Sequence, residues 1–126
     1  MEELRAEQIE ALEVFGDYNK RLIKSMKNII PELEGSRKKD TDDYLEGIIK
    51  GINWEVGILN GTMTLINEKE ERLQKEEINK SIQKLSEALG GRKDNEIAQA
   101  LKETLPVFEK FGEIAETVLK EEKTKS

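Results

Sequence analysis

Asp40-Thr41-Asp42-Asp43 sets three carboxylates in four residues, and side chains of this kind either ligate a divalent cation or cap a helix. A calcium loop also needs a glycine at its sharp turn and a closing glutamate at fixed spacing. The run has neither, so its expected work is helix capping. Ser25, Ser81 and Ser86 fall in helical patterns with no base of the usual kind beside them, which leaves a nucleophile without activation. Gly90-Gly91-Arg92-Lys93 could touch an anion, but no strand precedes it as a phosphate loop requires, and it reads as a solvated turn after a helix. Arg37-Lys38-Lys39 is cancelled by the acids that follow it and reads as a soluble loop. Tyr18 and Tyr44 read as core-edge residues.

Two absences weigh more than these motifs. The 126 residues include no His and no Cys, so structural zinc, iron-sulfur clusters, disulfides, thiolate nucleophiles and imidazole bases have nothing to be built from. The Glu-x-x-His pairs of helical di-metal sites are excluded on the same ground. The expectation is a protein that is not an enzyme and uses no metal and no cofactor.

The second helical segment carries the strongest signal. Rotating by about 100° per residue resolves it into two stripes. Leu45, Ile48, Ile49, Ile52, Val56, Leu59, Met63 and Ile66 form one; Gly47, Gly51, Trp54, Ile58, Gly61 and Leu65 form the other, nearly opposite. Each of Gly47, Gly51, Gly57 and Gly61 costs about 1 kcal/mol relative to Ala inside a helix. A sequence that keeps them points to another backbone approaching closely beside Trp54, the only tryptophan, or to a helix broken between Gly57 and Gly61. The second stripe is then either covered by another helix of the same chain or a candidate partner-binding surface. The spacing of Gly47 and Gly51, and of Gly57 and Gly61, also matches the small-xxx-small pattern of membrane dimers. Lys50, Asn53, Glu55 and Asn60 in the same window argue against a membrane span.

The elements that position these residues are helical. Pro occurs twice, strand-type alternation is absent, and Glu, Lys, Leu, Ile and Ala dominate. A first helix is predicted from about Glu3 to Leu33, with Ile9, Leu12, Phe15, Tyr18, Leu22, Met26, Ile29 and Leu33 on one face, bent or ended by Pro31 and stopped at Gly35. The second follows the 36–43 loop and runs to about Asn67. A third, Lys75 to Leu89, stops at Gly90-Gly91. A fourth buries Ile97, Leu101, Leu105, Phe108, Ile114 or Ala115, and Val118, with fraying expected over 121–126. The predicted fold is all-α: one domain, an antiparallel four-helix bundle with three long helices and one short, or a three-helix array if the second and third segments are continuous.

Charge bounds the partners. Twenty-one Lys and Arg stand against 27 Asp and Glu, for a net −6. Residues 1–63 hold 9 basic and 13 acidic side chains, and residues 64–126 hold 12 and 14. An acidic chain with no basic cluster lacks the counterion-releasing surface that nucleic acid needs, and anionic headgroups repel it. The acidic start, Met1-Glu2-Glu3-Leu4-Arg5, is unlike a secretory signal, so a cytoplasmic location is expected. The reading is a small protein-protein interaction module acting by helix docking. Self-association as a homodimer through Gly47, Gly51, Trp54, Ile58, Gly61 and Leu65 is the first partner considered. The alternative is an export or secretion chaperone, or an anti-activator, that captures an amphipathic helix of a client protein.

Overall fold

A computed structural model describes residues 2–125, and all regular structure among the described residues is helical: α1 (Glu2–Leu33), α2 (Thr41–Gly61), α3 (Met63–Ile66), α4 (Lys75–Gly91) and α5 (Asp94–Lys125). The two 32-residue helices, α1 and α5, lie antiparallel along one another. The pairing is fixed from end to end: Arg5 bonds Glu122, the Asn19 amide donates to the Phe108 carbonyl at 3.0 Å, and Lys102 meets Glu34 at 2.6 Å. α2 packs against the other side of α1, and α4 packs against α5.

Helical periodicity explains this arrangement. Leu12, Phe15, Leu22, Met26, Ile29 and Leu33 recur every three or four residues on α1, and all are buried. On α5, Ile97, Leu101, Phe108, Ala115 and Val118 do the same, joined by Phe111, whose ring meets Phe108 edge-on at 5.2 Å. Pro106 sits on the exposed side of α5, so the helix passes through it without turning its apolar stripe from the core.

Three local outcomes differ from the sequence expectation. The second helical segment is interrupted at Thr62, whose φ of −113° leaves helical geometry. Its hydroxyl donates to the Ile58 carbonyl at 2.8 Å beside its own amide, which donates there at 3.0 Å, and α3 follows with Leu65 and Ile66 turned inward. Five helices therefore replace the four expected, and the continuous alternative does not occur. Residues 67–74 form a loop held by Asn67: its Oδ1 accepts from the amides of Arg72 and Leu73, and its Nδ2 donates to the Leu73 carbonyl.

α4 runs through Gly90 and Gly91, and the left-handed residue that stops it is Arg92 (φ 56°). At the end of α1 the glycine does act as expected, with Gly35 at φ +144°. Asp40 stands before α2 without a side-chain capping bond; Thr41 is the organising residue, its Oγ1 accepting from the Lys38 amide and donating to Glu32. α5 is helical through Lys125, with Glu121 held by Arg72 at 2.6 Å and Glu122 by Arg5. Ser126 lies outside the described residues. The Arg37 loop is likewise tied down: one guanidinium bridges Asp42 and Asp94, holding both carboxyls below the usual range.

Candidate interaction face on α2

Thr41, Ile48, Gly51, Ile52, Glu55 and Leu59 are the buried residues of α2. On a wheel of about 100° per residue they form a single broad face, and Glu55 lies near its midline, about 20° from Ile48. The two apolar stripes visible in the sequence are thus the two shoulders of one face, parted by a carboxylate. Glu55 is fully buried, and neither of its oxygens has a hydrogen-bond partner. Burial penalises the charged form and pushes its carboxyl up to about 8.

Beside this midline, α2 meets α1 through an aromatic contact. Gly51 is buried, and a side chain there would overlap the Tyr18 hydroxyl and press on Leu22 Cδ1 at 3.2 Å. The close approach inferred from the glycines is therefore real at Gly51, and the occupant is a side chain of α1. The Tyr18 ring meets Trp54 edge-on, with centroids 5.2 Å apart, while the Arg21 guanidinium stands 5.7 Å over the other side of Tyr18. Next to this group a cleft of about 320 Å³ runs between the two helices, lined by Tyr18, Leu22, Tyr44 and Gly47 among others.

The six residues singled out by sequence divide accordingly. Gly51 and Leu65 are turned inward, Ile58 is half-buried against the core, and Gly47, Trp54 and Gly61 are exposed. Trp54 keeps 42% of its surface accessible, and a Cβ added at Gly47 or Gly61 would meet nothing within 4 Å. The three share a line, seven residues or about two turns apart, with Trp54 midway. Sequence reasoning missed Tyr18 as the α1 side of this contact and Glu55 as a core residue. The signal for Glu55 was its spacing, four residues from both Gly51 and Leu59.

Residues 10–114 match the model of a family described as Domain of unknown function (DUF8042). The chain belongs to this family. The matched span opens within α1 and closes within α5, so it contains Tyr18, the whole of α2 and the Trp54 face. No curated protein and no solved structure matches the chain. None of the described helices is long and apolar enough to cross a membrane.

Proposed function

We propose that this protein is a non-catalytic interaction module that self-associates by docking α2 against α2 of a second copy, with Trp54 as the anchor. The observation that carries the reading is the line Gly47, Trp54, Gly61: an exposed tryptophan with an exposed glycine two turns to either side, the Gly61 carbonyl accepting from the Gln8 side chain of α1. Two antiparallel copies crossing at Trp54 bring Gly47 of one opposite Gly61 of the other, as a two-fold interface demands. Glycine at position 47, inside α2, costs helix stability, and no contact inside the chain requires it there. A partner backbone supplies the missing reason. Gly51, Ile58 and Leu65 act from behind the contact, seating α2 and α3 on the core. In the same reading the fold is an antiparallel four-helix bundle, with α2 and α3 together as one arm, working in the cytoplasm without nucleic acid, membrane, metal or cofactor.

Dilution tests the reading. The emission of Trp54, the only tryptophan, is expected to be blue-shifted at high protein concentration and to move red on dilution as the dimer parts. Emission that stays the same across the series while the mass remains monomeric removes self-association.

The cleft beside Tyr18, Tyr44 and Gly47 favours a second occupant of the same face, an amphipathic helix of a client, as in a secretion chaperone or an anti-activator. Co-elution of a defined client with the wild type, and its loss with Trp54→Ala, would move this reading to first place.

A further inference from the structure

On the opposite side of α1, away from α2, the seam between α1 and α5 is open. It forms a groove of about 730 Å³, and its floor is made of Gly16, Asn19 and Ile23 from α1 with Gly112 and Leu119 from α5. The floor is low because both helices carry glycine here. Gly112 has a reason inside the chain, since a Cβ there would strike Asn19 Nδ2 at 2.6 Å. Gly16 has none: a Cβ would meet nothing within 4 Å.

The rim has a definite sign. Glu13, Asp17, Glu109, Glu113 and Glu116 line it against Lys20 and Lys123. Glu116 pairs with Lys120 one turn along its own helix, whereas Glu13, Asp17, Glu109 and Glu113 make no ion pair among the described residues. These acids are strung along two helices, Glu109 to Glu116 spanning about 10 Å, and no group of three converges as metal ligands would among the described residues. The groove thus presents a line of negative charge along an apolar floor. Within that floor Asn19, 2% exposed, gives its Nδ2 to the Phe108 carbonyl and leaves Oδ1 without a partner.

We infer that the α1–α5 seam is a second docking surface, and that its occupant is a basic amphipathic helix of a partner protein. An apolar stripe on that helix lies over Gly16, Ile23 and Leu119, and its Lys and Arg side chains reach the unpaired acids on both rims. Charge complementarity sets the class of partner, and the missing side chain at Gly16 sets where its backbone comes closest. This surface is separate from the Trp54 face, so either can exist without the other.

The test uses the full chain and a labelled synthetic helix of Leu and Lys, about 18 residues or five turns long, followed by fluorescence anisotropy at low salt, with the corresponding Leu/Glu helix as control. The basic helix is expected to bind and the acidic one not to. Gly16→Leu, which fills the groove from a Cβ position that is open, and Glu113→Lys are each expected to weaken binding about tenfold or more. Glu87→Lys on α4, an equal change of charge far from the seam, and Trp54→Ala leave it unchanged. Binding that survives Gly16→Leu, or that falls equally with Glu87→Lys, shows diffuse charge attraction and overturns the inference, as does failure of the basic helix to bind. Loss with Trp54→Ala alone would place the basic helix on the α2 face instead.

Discussion

Trp54 stands edge-on against Tyr18, ring centroids 5.2 Å apart and planes inclined at 68°. One ring belongs to the exposed line of α2 and the other to α1, whose hydroxyl fills the space over Gly51. The contact fixes the tryptophan in one orientation while leaving much of it in water. An anchor held in this way loses little freedom on docking, which is how rigid aromatics contribute to association.

Removing the anchor separates association from folding. Trp54→Ala is expected to cost about 1 kcal/mol of monomer stability, the worth of an edge-on aromatic pair, and to abolish the dimer. Urea denaturation and sedimentation of the same variant check the two effects independently.

The glycines of α2 are expected to respond in opposite directions. Gly51→Ala forces its Cβ into the Tyr18 hydroxyl and costs about 1–3 kcal/mol, as overpacking does. Gly47→Ala meets open space and raises thermal stability by up to about 1 kcal/mol through helix propensity, while weakening self-association. A melting series on the two variants distinguishes them.

Glu55 gives stability a pH dependence of known sign. Its folded carboxyl titrates near 8, above the value of about 4.3 for an unfolded glutamate. The folded state therefore holds this proton more tightly. The stability it brings is full below about pH 4.3, declines through neutral pH, and is gone once pH exceeds the folded value near 8. The span corresponds to a loss on the order of 4–5 kcal/mol for a fully buried group. Glu55→Leu removes an unpartnered carboxyl from the core, so it is expected to raise stability and flatten the decline. Urea midpoints for both proteins between about pH 5 and pH 9 give the comparison; parallel curves would contradict it.

Asn67 is the keystone of the loop joining α3 and α4, making three hydrogen bonds to the backbone of Arg72 and Leu73. Asn67→Ala strands those groups and is expected to cost about 2–3 kcal/mol, with faster hydrogen exchange confined to residues 67–74.

Much of this architecture is written in the periodicity of the sequence. Phe15, Leu22, Met26 and Ile29 mark the buried face of α1, and Leu101, Phe108 and Val118 that of α5, because a three-to-four spacing of large apolar residues has one physical outcome in a helix. The break near Gly61 is legible as a weak run of helix formers, though its position at Thr62 depends on a hydroxyl bonding back to Ile58. Other features are tertiary and leave no local trace. A lone glutamate between two apolar stripes reads as surface until Ile48, Ile52 and Leu59 are seen to flank it in the core. The division of the glycines is hidden as well, since Gly51 and Gly47 have the same sequence environment and only the position of Tyr18 separates them.

The most direct test of the central claim is the solution mass of wild type and Gly47→Leu by light scattering over one concentration series, with helicity recorded on the same samples. Self-association through α2 requires a wild-type dimer and a Gly47→Leu monomer of unchanged helicity, because the leucine projects from the exposed line into the partner backbone, from a Cβ position that meets nothing in its own chain. A wild type that stays monomeric at every concentration, or a Gly47→Leu protein that dimerises as well as the wild type, contradicts it.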